Sequence, residues 1–175
     1  ETLAPAVLLG KQHFYDARDD RLALDNYMSC ASCHNDGGAD GRVWDLGAFG
    51  EGLRRTISLR GRGQGHGLLH WTGNFDEIQD FENDIRLRFG GSGLTTNADF
   101  DETQATLGTP KTGLSAPLDA LAAYVATLDT FPRSPHRAAD GSPTRAGGKL
   151  GITPSQRSTS HNAVLKSMPK VPCSS

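Results

Sequence analysis

The sequence contains few cysteine, methionine or aromatic residues, and it has no long run of apolar residues. Three cysteines and two methionines occur in 175 residues, and aromatic side chains make up 7%. The lack of a long apolar run excludes a transmembrane span. Strand periodicity is also missing, so the βαβ pattern that accompanies thioredoxin-like redox cysteines is not visible. The formal net charge of −2 is nearly balanced.

Two of the three cysteines lie in one short motif, Cys30-Ala31-Ser32-Cys33-His34. Cys-x-x-Cys-His is the attachment signature of a c-type haem. The two thiols add to the two vinyl groups of one porphyrin, and the next histidine presents its imidazole to the iron. A zinc site needs about four ligands, and the only other cysteine, Cys173, lies in a remote tail. We therefore expect one covalent haem c at Cys30 and Cys33, with iron bound by His34.

Three segments have apolar residues at helical spacing, namely 5–16, 74–89 and 115–131. Asn74 is a good N-cap for the second segment and Ser115 for the third. Because no segment alternates as a strand does, we expect an all-α fold. In this fold, cytochrome c-like helices surround one covalent haem, with long Gly-rich loops and an irregular C-terminal tail.

Residues 37–73 are rich in glycine and arginine. Glycine allows the backbone to approach a ring closely, and the guanidinium group of arginine pairs with carboxylates such as the haem propionates. We expect one or two of these arginines to contact propionates and the rest to be solvated, while the tryptophans pack against the porphyrin. The candidate haem-binding side chains are Arg54, Arg55, Arg60, Trp44 and Trp71.

The composition changes after residue 131. Residues 132–175 are rich in proline, serine and glycine and hold seven basic residues against one acid, a charge of +6. The first 131 residues hold eleven basic residues and nineteen acids, a charge of −8. We expect a mono-haem cytochrome c domain over 1–131 and a basic tail or linker over 132–175.

Four stretches of the sequence together resemble the bacterial di-haem cytochrome c peroxidase superfamily, and more closely the haem modules of large secreted bacterial proteins. They are residues 29–34 (SCASCH), 37–42 (GGADGR), 53–61 (LRRTISLRG) and 70–74 (HWTGN). The resemblance covers roughly residues 7 to 130. Superfamily peroxidases carry a second Cys-x-x-Cys-His, whereas this chain has one. Peroxide reduction by two irons therefore does not carry over to it.

The second axial position of the iron is open to several side chains. His70 is favoured, because it closes the Gly-rich loop beside Trp71 and aligns with a position that lies over the haem in the resembling family. The other candidates are His66, Met168, His13, His136 and His161, or an open site.

Three functions are compatible with these features. The first is electron transfer through one haem to an unidentified redox partner protein. We expect no nucleic-acid partner and no transmembrane segment. The second is a peroxidase-type enzyme, for which the acid–base candidates are Glu77, Gln79, Asp80 and Glu82, unless these form only an exposed, dipole-favoured helix start. The third is a redox or sensor module of a larger extracellular protein. Haem attachment takes place outside the cytoplasm, so we expect a periplasmic or extracellular location.

Overall fold

The computed structural model describes residues 2–61, 67–130 and 134–144. Contacts divide the chain into two compact units, Glu1–Phe131 and Pro132–Ser175. The described residues form five α-helices and one two-stranded sheet. The helices are α1 (Pro5–Tyr15), α2 (Cys30–Cys33), α3 (Phe81–Leu87), α4 (Asn97–Glu102) and α5 (Ala116–Ala126), and the strands are β1 (Val43–Leu46) and β2 (Gly52–Arg55).

The expected all-α fold is wrong, because the Gly-rich stretch contains an antiparallel hairpin. Strand β1 pairs with β2 in a register that sets Val43 opposite Arg55 and Leu46 opposite Gly52. A short 3₁₀ turn joins the strands, and Gly50 and Gly52 adopt the left-handed φ values of 78° and 67°. Strands of four residues are too short to produce a clear alternation in the sequence.

The main core lies where α1 and α5 pack together. Its buried residues are Phe14, Leu69, Phe75, Ile78, Leu121, Tyr124 and Val125, and the partly buried Cys30 and Ala31 pack against them. The Phe14 ring stands edge-on to Tyr124 at 5.2 Å between centroids. The Cys-x-x-Cys-His motif therefore packs directly against the hydrophobic core of the first unit.

The predicted caps of the two later helices had different outcomes. The Ser115 side chain accepts a hydrogen bond from the Leu118 backbone N–H, so its prediction as the N-cap of α5 is confirmed. Asn74 does not cap a helix. The chain makes a 3₁₀ turn over Ile78–Asp80 before α3 begins, and Glu77 precedes that turn.

The acidic start of α3 is buried, and its interpretation as an exposed helix start is wrong. Asp80, Glu82 and Asp84 are all less than one-tenth exposed. Each has a specific partner. Asp80 binds the ammonium group of Lys111 at 2.6 Å, Glu82 binds Arg86 at 2.7 Å, and Asp84 binds Arg88 at 2.7 Å.

The Glu82 carboxylate joins α3 to the loop before α4. Its oxygens accept the backbone N–H groups of Leu94 and Thr95, at 2.9 and 3.0 Å, and the Thr95 hydroxyl at 2.8 Å. Burial alone raises the pKa of Glu82, but the hydrogen bonds from Arg86, Leu94 and Thr95 outweigh it and hold this pKa below its usual 4.5.

We predict that stability falls below about pH 4.5 partly because Glu82 becomes protonated. A carboxyl whose pKa is lower in the folded state stabilises the protein above its unfolded pKa, and this contribution disappears as the pH falls through the folded value. Urea unfolding of the wild type and Glu82→Gln should therefore show a smaller acid-side loss for the variant. Parallel losses in the two proteins would contradict the assignment.

The second unit is described over residues 134–144. These residues form a small turn in which an isolated antiparallel β-bridge pairs Arg137 with Pro143. The Thr144 backbone N–H donates to the His136 carbonyl oxygen at 2.8 Å. Among all the residues that the structure describes, no helix is both long enough and apolar enough to cross a membrane.

Candidate functional site

The Cys-x-x-Cys-His motif forms one turn of helix that both cysteines share. Helix α2 spans Cys30–Cys33 and begins after Ser29, whose backbone N–H donates to the Ser32 hydroxyl at 3.0 Å. The His34 backbone N–H donates to the Cys30 carbonyl oxygen at 2.9 Å and ends the helix. Both thiols and the imidazole thus project from one rigid turn, as covalent attachment to one porphyrin edge requires.

The His34 ring has two backbone partners, Gly38 and Ile57. Its Nδ1 lies 3.3 Å from the carbonyl oxygen of Gly38. A carbonyl oxygen can only accept, so this contact favours the tautomer with the proton on Nδ1 and the lone pair on Nε2. Burial lowers the pKa of His34, which favours the neutral imidazole. A neutral imidazole with one anchored nitrogen is the form in which histidine binds a metal.

Both motif cysteines are free thiols in a partly buried environment. Burial raises the pKa of Cys30 to about 11 and also raises that of Cys33, to which the nearby Asp40 carboxylate contributes. The set of two neutral thiols and one neutral imidazole on a single turn fits a covalent c-type haem. Among the described residues, no group of three or more His, Cys, Asp or Glu side chains could hold a free metal ion.

The turn after His34 is tied to the far side of the Gly-rich loop. Gly37 adopts a left-handed φ of 71°, and a Cβ there would lie 2.6 Å from Leu128 of the segment after α5. The Gly37 carbonyl oxygen accepts the Leu59 backbone N–H at 2.9 Å, and the Asp36 carbonyl oxygen accepts Arg60 Nε at 2.6 Å. These contacts fix the path of the chain around His34.

The two tryptophans anchor the hairpin to different neighbours. Trp44 Nε1 donates to Asp40 Oδ2 at 2.9 Å, which links β1 to the loop after the motif. Trp71 Nε1 donates to the Arg55 carbonyl oxygen at 2.8 Å, while 61% of the Trp71 surface remains exposed. Trp71 therefore presents a ring face on the surface of the first unit.

The three candidate propionate partners are engaged to different degrees. Arg54 lies 3.4 Å from Glu51, and Arg60 donates to the Asp36 carbonyl oxygen. The Arg55 side chain is exposed and forms no ion pair with another described residue. Among these three arginines, Arg55 is therefore the one whose guanidinium group can bind an anionic partner without breaking an ion pair with a described residue.

The half-buried His70 ring has both aromatic and polar neighbours. His70 adopts a left-handed φ of 60° as the first residue of a loop that is closed by a bridge between Leu69 and Phe75. Its ring lies 4.3 Å from the Phe75 ring and 5.0 Å from that of Phe81, measured between centroids. The pKa of His34, which is lowered mainly by burial, is lowered further by the positive charge that His70 carries when it is protonated.

Both ring nitrogens of His70 have polar neighbours, but at different distances. Nδ1 lies 2.9 Å from Asn74 Oδ1, whereas Nε2 lies 3.5 Å from Asp84 Oδ2. Hydrogen bonds of this kind normally span 2.7 to 3.2 Å, so only the Nδ1 contact has normal length. Burial raises the pKa of Asp84, although the nearby charges of His70 and Arg88 act against this rise.

The other axial candidates are placed elsewhere or lie outside the described residues. His13 is buried in α1, where its Nδ1 lies 3.3 Å from Asp19. His136 belongs to the second unit. Four residues that the sequence analysis names lie outside the described residues: His66, His161, Met168 and Cys173.

Two side-chain contacts of the first unit were not predicted from the sequence. Asn74 was interpreted as a helix cap but contacts His70 instead. Lys111 was not singled out, although it lies buried against Asp80. The four-residue spacing between His70 and Asn74 is the one signal that could have linked that pair, and it has this meaning only in a closed loop.

No family model matches the sequence, and no curated protein matches it. The structure is similar to a chain of hydrazine synthase from Kuenenia stuttgartiensis, solved under xenon pressure, with a TM-score of 0.54 and 29% sequence identity. The match covers 83% of this chain and 43% of that chain. The chain thus spans less than half the length of the hydrazine synthase chain that it matches.

Proposed function

We propose that the first unit is an electron-transfer domain that carries one c-type haem on Cys30 and Cys33. The observation that carries this proposal is the geometry of the motif: both cysteines lie on one helical turn, and His34 Nδ1 lies 3.3 Å from the Gly38 carbonyl oxygen. His34 Nε2 is the atom that would bind the iron. The haem, when bound, supplies one-electron oxidation and reduction.

His70 is the second axial ligand in this proposal. Its Nε2 has only a 3.5 Å contact with Asp84 to give up, whereas Nδ1 stays anchored to Asn74. Two histidine ligands would give a low-spin iron with a lower potential than a histidine–methionine pair. They would also leave no open site for peroxide, which favours electron transfer over catalysis.

The haem-binding side chains of the hairpin have distinct proposed roles. The exposed guanidinium group of Arg55 is suited to a propionate, and Trp44 and Trp71 supply flat apolar surface to a porphyrin. Arg54 and Arg60 contribute less, because Glu51 and the Asp36 carbonyl already occupy them. We further propose a periplasmic or extracellular location and a protein redox partner.

An enzymatic function is the second candidate, and the similarity to hydrazine synthase favours it. A module of a larger enzyme would also account for a chain that matches only 43% of its neighbour. The acid–base candidates of the first unit argue against a peroxidase-type reaction, because each is already bound to other residues. Gln79 donates to Thr112 and Asp119, and Glu77 accepts the Thr112 hydroxyl at 2.9 Å.

We predict that one haem remains attached after denaturation of protein exported with a working haem-maturation system. Intact-mass spectrometry should show the chain mass plus one haem. Cys30→Ala and Cys33→Ala should each reduce covalent attachment, and the double variant should abolish it. An exported wild-type chain at the bare apoprotein mass would contradict the proposal.

A further inference from the structure

The contact between His70 and Asn74 is more specific than a surface loop requires. Asn74 Oδ1 lies 2.9 Å from His70 Nδ1 and 3.1 Å from the Thr72 hydroxyl. An amide oxygen can only accept, so His70 Nδ1 must carry a proton. With the proton on Nδ1, the lone pair of the neutral ring is on Nε2, the nitrogen that Asn74 does not touch.

Two aromatic rings flank the His70 side chain and restrict its orientation about this contact. Phe75 lies at 4.3 Å with its plane inclined by 41°, and Phe81 meets the ring edge at 90°. The left-handed backbone of His70 and the bridge between Leu69 and Phe75 hold the base of the side chain. The Asn74 oxygen is therefore the polar atom that selects which nitrogen of a sterically confined ring is protonated.

We propose that Asn74 is a positioning residue for the second haem ligand: it anchors His70 through Nδ1 and thereby presents Nε2 for coordination. This inference rests on the proposed function, in which His70 is the axial ligand. Histidines that bind metals are generally held in this way through the other ring nitrogen, and loss of such a partner weakens metal binding by about 10- to 100-fold.

The experiment compares four single variants of the full-length haem-loaded protein: Asn74→Ala, Asn74→Asp, Thr72→Val and His70→Ala. The readouts are the spin state from the absorption spectrum, the rate of carbon monoxide binding to the reduced protein, and the midpoint potential. Asn74→Ala should raise the high-spin fraction and speed carbon monoxide binding by about 10- to 100-fold, as a weakened ligand bond predicts.

Asn74→Asp separates a positioning role from a structural one. A carboxylate also accepts from Nδ1–H and does so more strongly, which makes the ligand more basic. This variant should therefore stay low-spin and have a lower midpoint potential than the wild type. Thr72→Val removes the other partner of Asn74, and with it the 2.7 Å hydrogen bond from the Thr72 hydroxyl to Glu51, but it leaves the His70 contact. It should therefore keep the wild-type spectrum and carbon monoxide rate.

The His70→Ala variant distinguishes failure of this inference from failure of the proposed function. If His70→Ala is high-spin while Asn74→Ala matches the wild type, Asn74 has no positioning role, although His70 remains the ligand. If His70→Ala is unchanged from a low-spin wild type, the ligand assignment and the inference are both overturned. Asn74→Asp behaving like Asn74→Ala would also overturn the inference, because it would show that the loop merely needs asparagine.

Discussion

Replacing Lys111 with methionine is expected to lower the free energy of unfolding by about 3–5 kcal/mol, the range for removing one partner of a buried ion pair. Lys111 is fully buried, and its ammonium group lies 2.6 Å from Asp80 Oδ1. Methionine retains most of the apolar stem but leaves the Asp80 carboxylate without its counter-charge. Chemical denaturation monitored by circular dichroism measures the loss.

The control for Lys111→Met is the double variant Lys111→Met/Asp80→Asn. The amide in place of Asp80 carries no charge to bury, and its oxygen can still accept the Asp76 backbone N–H, which Asp80 binds at 3.1 Å. Removing both charges of a buried pair usually costs far less than removing one. The double variant should therefore recover most of the lost stability, and a loss as large as that of Lys111→Met alone would show that the Asp80 charge is not the cause.

Replacing Gly10 with alanine is expected to destabilise the protein, although the same change normally stabilises a helix. Alanine is favoured over glycine within helices by about 0.5–1 kcal/mol. At Gly10, however, a Cβ would lie 1.8 Å from the carbonyl oxygen of Ala120 in α5. Because backbone atoms of α5 cannot yield as a flexible side chain would, α1 and α5 must separate, at a cost of about 1–3 kcal/mol or more.

The thermal midpoint of Gly10→Ala should fall. Lys11→Ala, at the next position along α1, should change it little, because Lys11 is exposed. Cys30 and Ala31 pack against the core that α1 and α5 build. Displacement of α1 should therefore also lower the yield of covalent haem during maturation. An unchanged or higher midpoint for Gly10→Ala would contradict the close approach of the two helices.

Features that depend on neighbouring residues could be predicted from the sequence. The start of α1 at Pro5 and the Ser115 cap of α5 follow from local backbone preferences, and both are confirmed. The haem motif is likewise local, because its chemistry needs two thiols and an imidazole within five consecutive residues. The assignments of His70, Arg55 and the two tryptophans as haem contacts remain predictions.

The acids of α3 show where local rules failed. Asp80, Glu82 and Asp84 match the charge preference of a helix start, and that preference alone places them in solvent. The burial of Asp80 and Glu82 depends on Lys111, Leu94 and Thr95, which lie 12 to 31 positions further along the chain. A buried carboxylate is tolerated only when such distant donors converge on it, and no local pattern records that convergence.

The sequence by itself determined the Cys-x-x-Cys-His motif and the Ser115 cap of α5, because short-range geometry fixes both. Only the tertiary structure decided that the Gly-rich stretch contains a hairpin, that the acids of α3 are buried and that Asn74 binds His70 rather than capping a helix. The hairpin needs cross-strand hydrogen bonds, and the other two features need side chains brought together by loop closure. Their free energies arise from contacts between separated parts of the chain, which local propensity does not contain.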